Sequence, residues 1–189
     1  DVSWHDWKGS IMYHSISDII KQSEQEKIAF WEVVLRADME ERGVSYEDSF
    51  ETMRHMYRAM RDADAGYDPK ARSASGMAGG AGEMLHIYNE SGKNICGDFV
   101  GEVMEKAIKM GESNACMHRI VAAPTAGSCG GIPAVFLVAE KRLQLSEDVM
   151  IQAMFITAGI GAVIAENASV AGASGGCQAE IGSASAMAA

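Results

Sequence analysis

A chain of 189 residues with 48% hydrophobic and 22% charged residues is long enough to form one ordinary globular core. Its formal net charge of −10 argues against nucleic-acid binding, because that function usually depends on clustered lysines and arginines. The composition therefore favours a protein that binds a small metabolite or another protein.

The first third of the chain predicts amphipathic helices. Residues 1–11 do not follow the helical pattern and are left unassigned as an N-terminal extension, with Met12 as either a natural start or an internal methionine. Apolar residues then recur at helical spacing between Ile16 and Met39, which predicts one long helix or two short ones. This apolar stripe needs a cover, and we expect association with another chain to provide it.

Ser45 followed by Asp48 is a capping signature, and the apolar stripe behind it predicts a helix that ends near Gly66. Residues 66–82 are rich in glycine, alanine and serine, and the segment is too long for a routine connection between helices. It is either a mobile linker or a functional loop.

Helices are also predicted through the second half of the chain. A short one is expected around residues 83–88, and a longer one runs from Asp98 to Gly111. Pro133 occupies a position typical of the first turn of a helix that reaches Leu143. Ser146 then caps the next helix, with a hydrophobic staple behind it.

The run of residues 149–165 carries no charge, but it contains polar residues and glycines and is shorter than the roughly 20 apolar residues of a membrane span. We therefore predict a helix buried inside the protein. No segment shows the alternation of a β-strand. The predicted fold class is mainly α, a compact bundle of helices with Gly-rich loops at helix N-termini and small faces that permit close helix packing.

Three Gly-rich segments, residues 75–80, 123–131 and 172–180, interrupt this helical chain, and each is expected to lead into a helix. Glycines allow a backbone to approach a ligand closely, and the free N–H groups at a helix start favour an anion such as a carboxylate. Each loop could equally be a simple capping turn. Three in one chain favour a binding site.

Other site types find little support. Residues 127–131 lack the lysine of a phosphate-binding loop, and the five histidines form no metal-binding pair at helical spacing. The four cysteines, Cys96, Cys116, Cys129 and Cys177, are widely spaced and contain no C-x-x-C pair, which argues against a zinc ribbon or a redox dithiol and suits reduced thiols in the cytoplasm. Cys129 as a nucleophile would need a base, and only His118 lies near it in sequence.

Two motifs carry a family resemblance. Residues 122–128 read AAPTAGS and residues 175–189 read GGCQAEIGSASAMAA. Both resemble the α chain of the iron–sulfur-dependent L-serine dehydratases, and residues 75–80 resemble that family's upstream Gly-rich loop. The resemblance extends over residues 12–189, which are identified as a helical catalytic domain of the serine dehydratase α type.

The resemblance implies a lyase that converts L-serine to pyruvate and ammonia with a [4Fe-4S] cluster held by three cysteines, one iron remaining open to substrate. Cys177 matches the first of those ligands. The other two are expected beyond Ala189, so the domain is interpreted as C-terminally incomplete, and the 189-residue chain is expected to lack the cluster and the activity. The likeness also implies a base in a β part, so the catalytic residues of this chain remain unknown.

We predict that the carboxylate of serine is bound by the loop of residues 124–131, chiefly Thr125 and Ser128 with the backbone N–H groups at the start of the helix that contains Pro133. Gly127 of this loop and Ser75 and Gly76 of the first loop are also predicted to bind the substrate. Glu180 is interpreted as a helix-start carboxylate that satisfies backbone donors. The expected partners are L-serine and a β subunit or domain in a homo- or hetero-oligomer, with no nucleic acid and no membrane.

Two other functions remain open. One is a related iron–sulfur lyase that acts on another amino acid, as a cysteine-desulfidase-like enzyme does, because pocket side chains choose the substrate. The other is a helical subunit without a cluster that only binds a partner.

Overall fold

The structure, a computed structural model, describes residues 13–189, so the N-terminal extension 1–11 and Met12 lie outside it. The described residues form α-helices and one turn of 3-10 helix, and they contain no β-strand, which confirms the mainly α fold class. The helices are α1 (Ile16–Glu26), α2 (Phe30–Arg42), α3 (Tyr46–Ala65), α4 (Ala81–Glu90), α5 (Gly97–Ala115), α6 (Gly131–Leu143), α7 (Glu147–Asn167) and α8 (Gly172–Ala188), with the 3-10 turn at Ala126–Ser128.

Serine side chains begin three of these helices. The Ser45 hydroxyl accepts a hydrogen bond from the Asp48 N–H at 3.1 Å, and Ser146 caps α7 in the same way. Ser15 forms a complete capping box with Asp18 at the start of α1. Each cap satisfies a backbone donor that has no partner inside its helix, and the predicted caps at Ser45 and Ser146 are confirmed.

The stripe between Ile16 and Met39 is divided between α1 and α2, because α1 ends at Lys27 with a left-handed backbone. The chain itself covers part of this stripe: Ile19 and Leu35 are buried, where α2 packs against α7 and α3. Ile20 remains exposed, so association with another chain stays a prediction for the rest of the stripe. Burial of this apolar area within one chain contributes to the stability of the fold itself.

Helix α7 lies at the centre of the bundle and packs against α2, α3 and α8. By length and composition alone it is apolar enough to cross a membrane, and 39% of its most apolar window is buried in the fold. The buried residues form one side of the helix: Met150, Ile151, Met154, Phe155, Thr157, Ala158, Gly159 and Gly161. A buried helix was predicted here, and α7 is buried along that side only.

Small residues let α7 and α2 approach closely, as the sequence predicts. A Cβ built on Gly159 would lie 2.6 Å from a methyl carbon of Val34 and 3.3 Å from the ring of Phe30. Gly111 on α5 is different, because a Cβ there meets nothing within 4 Å. The same substitution is therefore expected to have opposite effects at the two positions.

We expect Gly159→Ala to destabilise the protein by about 1–3 kcal/mol, because the new methyl overpacks a helix contact whose valine is stiff at χ1. Gly111→Ala is the matched control and should stabilise by about 0.5–1 kcal/mol through helix propensity alone. Denaturant unfolding of the two variants measures both changes. Equal stabilisation by both substitutions would contradict the close packing of α2 and α7.

The remaining helices position the Gly-rich segments. Helix α5 packs against α4 on one side and α6 on another, and α6 packs against α8. The first two Gly-rich segments lead into α4 and α6, as predicted. The third segment does so only in part. Residues 172–175 already form a helical turn, and the helix is interrupted at Gly176, whose φ of 78° and ψ of 170° are not helical. The regular part of α8 therefore starts at Cys177.

Candidate active site

The loop of residues 123–131 is enclosed by two helices. A Cβ on Gly130 would lie 2.6 Å from the backbone oxygen of Ala107 in α5, and one on Gly131 would lie 3.1 Å from the Cβ of Ala184 in α8. Glycine is therefore required where the chain enters α6. Close contact on both sides buries the adjoining Ser128 and Cys129.

A hydrogen-bonded group of side chains joins this loop to α8. The Thr125 hydroxyl donates to Oε1 of Glu180, which lies 55 residues later in the sequence, and the Oγ atoms of Thr125 and Ser128 are 3.0 Å apart. A hydroxyl carries one proton, so Ser128 donates to Thr125 while Thr125 donates to Glu180. The structure thus brings Thr125, Ser128 and Glu180 together.

Two glycines make room for the Glu180 carboxylate. A Cβ on Gly127 would lie 2.5 Å from Oε1, and a Cβ on Gly172 would lie 2.6 Å from Oε2. Any other residue at either position would displace the carboxylate. The second and third Gly-rich segments therefore meet at this group, and Glu180 lies between them.

The interpretation of Glu180 as a helix-start carboxylate for backbone donors is wrong, because its hydrogen bond goes to the Thr125 side chain. The sequence offered little signal for this contact, since no local spacing connects positions 125 and 180. In the sequence, the space that the carboxylate occupies is reflected in the absence of side chains at Gly127 and Gly172.

The first Gly-rich segment is organised by a different carboxylate. Glu112 of α5 accepts hydrogen bonds from the N–H groups of Ala81 and Gly82 at 2.6 and 3.1 Å, and from the Tyr67 hydroxyl at 2.7 Å. Burial opposes ionisation of Glu112, but these hydrogen bonds prevail and lower its pKa. The helix start that was predicted to bind an anion is thus occupied by the protein's own side chain.

Ser75 and Gly76 lie at the tip of this first segment. The hydrogen bonds of Ser75 stay within the loop, to Ser73 and the Met77 N–H, and a Cβ on Gly76 would meet nothing within 4 Å. No hydrogen bond within residues 13–189 joins them to Thr125 or Ser128. The two predicted parts of the site are not in direct contact here.

The C-terminal end of α5 nevertheless holds both loops. Glu112 binds the start of α4, while the Asn114 side chain donates to the backbone oxygen of Ala126 at 2.9 Å. The Cys129 thiol lies 3.9 Å from the backbone oxygen of Met110. Neighbouring positions on one helix therefore fix both loops at the same end of the bundle.

The cysteines differ sharply in exposure. Cys129 is buried, and burial, reinforced by the charge of Glu180, raises the pKa of its thiol to about 11. At neutral pH Cys129 is protonated and is suited neither to nucleophilic attack nor to metal binding, which agrees with its interpretation as a small buried hydrophobe. Cys177 is exposed at the start of the regular part of α8, and Cys96 is exposed at the start of α5.

A cubane iron–sulfur cluster needs thiolates on about three of its irons. Over residues 13–189 no three histidine, cysteine or acidic side chains are grouped so that they could hold a metal ion. Cys177 is accessible and could supply one ligand, and the described residues offer no others beside it. The described residues therefore fit an iron–sulfur cluster by supplying one of its ligands, Cys177.

Comparison with known proteins places these features in a family. The family profile described as "Serine dehydratase alpha chain" matches residues 25–189. A "Probable L-serine dehydratase, alpha chain" of Bacillus subtilis is 35% identical over 178 residues, which are 94% of this chain and 59% of that protein. The "L-serine dehydratase, alpha chain" of Peptoniphilus asaccharolyticus is 46% identical over 113 residues, covering 60% of this chain and 39% of that one.

The chain thus spans about three-fifths of the length of the Bacillus relative. The match includes every residue of the Thr125–Ser128–Glu180 group and Cys177. A family profile that covers most of the sequence, together with a relative 35% identical along nearly the whole chain, decides the family. The chain belongs to the serine dehydratase alpha chain family.

Proposed function

We propose that the complete protein is an L-serine dehydratase that converts L-serine to pyruvate and ammonia. The observation that carries this proposal is the contact between the two motifs of the resemblance: Thr125 of the first binds Glu180 of the second, three residues after Cys177. The Bacillus and Peptoniphilus relatives are named as alpha chains of L-serine dehydratase. We propose that the protein acts in the cytoplasm.

In the proposed reaction the α proton and the β hydroxyl leave L-serine as water. The resulting 2-aminoacrylate tautomerises, and hydrolysis of the imine releases pyruvate and ammonia. A [4Fe-4S] cluster, with Cys177 as one ligand and the others outside the 189 residues, would act as a Lewis acid that makes the hydroxyl a better leaving group. No residue of this chain is assigned as the base that removes the α proton.

The residues of this chain bind and orient the substrate. We assign the substrate carboxylate to Ser128 and Gly127 with the backbone N–H groups at the start of α6, where a helix N-terminus favours an anion. The Ser128 hydroxyl turns from Thr125 to the carboxylate on binding, whereas Thr125 contributes to the substrate site through Glu180, to which it donates its one proton. Ser75 and Gly76 are assigned to the same pocket from the first loop. The shared support of both loops at the end of α5 favours this assignment.

The substrate test compares L-serine with L-cysteine on the complete, anaerobically reconstituted enzyme. Pyruvate from L-serine with little or none from L-cysteine is expected. Faster pyruvate release from L-cysteine would favour the desulfidase-like alternative. A complete protein that holds no cluster after reconstitution would favour the subunit that only binds a partner.

Removing both hydroxyls, in Thr125→Val with Ser128→Ala, should lower kcat/KM for L-serine by about 10- to 100-fold, since a hydrogen bond to a charged group contributes about 1.5–3 kcal/mol. Steady-state pyruvate formation measures this loss. Thr52→Val with Ser91→Ala is the matched control, because the Thr52 hydroxyl bonds only within its own helix and the Ser91 hydroxyl bonds only to Tyr88 and to the nearby Lys93 N–H. Unchanged kinetic constants in the site variant would remove these residues from the substrate site.

A β subunit or domain is proposed as the partner, because relatives named alpha chain imply a second chain. The assembly is proposed to be a homo- or hetero-oligomer, with no nucleic acid and no membrane in its function. The chain covers only part of the apolar stripe of α1 and α2, and the exposed Ile20 leaves room for a partner there.

A further inference from the structure

We propose that the Glu180 carboxylate binds the α-ammonium group of the substrate and that Thr125 holds it in position. This inference rests on the proposed function and adds to it the recognition of the amino group. It assigns to Glu180 a role that neither its place in the motif nor the likeness to relatives provides.

The first support is the absence of a cation beside Glu180. Its side chain is half-buried between Gly127 and Gly172, and among residues 13–189 no lysine, arginine or histidine forms an ion pair with it. A carboxylate that is partly removed from water is costly unless a positive group compensates it. An ammonium group of a ligand would provide that compensation.

The second support is the direction of the hydrogen bonds. Oε1 of Glu180 accepts from Thr125, while Oε2 accepts no hydrogen bond from residues 13–189. The free oxygen can accept from an ammonium group without disturbing the contact with Thr125. The Thr125 hydroxyl can only donate to a carboxylate, so this hydrogen bond holds the Glu180 side chain in position. It brings no positive charge, and the negative charge of Glu180 remains available to a ligand.

The third support is the place of Glu180 relative to the rest of the proposed site. Cys177 and Glu180 are three residues apart in the regular part of α8, so they lie on the same face of the helix. Ser128, which is hydrogen-bonded to Thr125, precedes the start of α6 by three residues. The ammonium and carboxylate of an amino acid are separated by one carbon, and adjoining sites for the two groups match that separation.

A purely structural role is the competing explanation, because Glu180 also fastens α8 to the loop of residues 123–131. The two roles differ in which ligands they affect. Loss of an ammonium contact weakens only ligands that carry the amino group. Loss of a structural fastening distorts the whole pocket and weakens every ligand.

The test uses Glu180→Gln in the complete, cluster-loaded enzyme, with Glu90→Gln at the exposed end of α4 as the control. The glutamine keeps an acceptor for Thr125 and removes the charge. We measure KM and calorimetric affinity for L-serine, and the inhibition constant and affinity of 3-hydroxypropionate, which lacks the amino group. We expect L-serine binding to weaken about 10- to 100-fold and 3-hydroxypropionate binding to change less than about twofold.

Equal weakening of both ligands, or no change in either, would overturn the role of Glu180. An unmodified enzyme that binds L-serine but forms no pyruvate would instead overturn the proposed function, and the calorimetric comparison would still decide the role of Glu180. Failure of the loaded, unmodified enzyme to bind L-serine at all would overturn both.

Discussion

Cys177→Ser in the complete enzyme should remove the cluster and reduce dehydratase activity to the background of the assay. A serine hydroxyl is a poor substitute for a thiolate on iron, and a cluster with about three protein ligands does not tolerate the loss of one. Iron and sulfide content, with the visible absorbance of the reconstituted protein, measures the cluster directly. Pyruvate formation from L-serine measures the activity.

The matched control for this experiment is Cys96→Ser. Cys96 and Cys177 are both exposed, so general thiol chemistry, including oxidation during preparation, affects them alike. We expect Cys96→Ser to retain the cluster and the turnover number. Equal loss of iron from both variants, or a full cluster in Cys177→Ser, would contradict the assignment of Cys177 as a ligand.

The 189-residue chain by itself should hold no intact cluster and show no dehydratase activity. Its remaining cysteines lie in other segments, and Cys129 is buried with a raised thiol pKa. One accessible thiolate beside the site cannot bind a four-iron cluster. We expect anaerobic reconstitution to load a version extended through the two further cysteines that the family resemblance implies, and to leave the 189-residue chain colourless.

A stable cluster of equal occupancy in both proteins would contradict this result. It would show that Cys96, Cys116 or Cys129 supplies ligands. A Cys129→Ala variant of the 189-residue chain is the control, because it keeps the exposed thiols and removes the buried one. We expect it to behave as the unmodified chain does.

Features set by neighbouring residues could be predicted from the sequence. The caps at Ser45 and Ser146 depend on atoms within three residues, and the glycine that packs against α2 belongs to a run of small residues in an apolar helix. The order of helices and the positions of two Gly-rich loops followed from the same local patterns. These features need no knowledge of the tertiary structure.

Contacts between distant segments could not be predicted in this way. Glu112 reaches the start of α4 across about 30 residues, and Thr125 meets Glu180 across 55. Glu112 occupies a helix start that the loop sequence alone left to an external anion. The part of the α1 and α2 stripe that α7 and α3 cover could not be predicted either, because periodicity identifies an apolar face without identifying what packs on it.

We propose that L-serine reacts at a cluster that is held in part by Cys177 and lies next to the Thr125–Ser128–Glu180 group. Mössbauer spectroscopy of the complete enzyme labelled with iron-57 tests this most directly. We predict that L-serine changes the signal of one cluster iron and that Glu90→Gln keeps this change. Glu180→Gln should shift the half-saturation of the change to higher L-serine concentrations. Turnover of L-serine with every iron signal unchanged would contradict it.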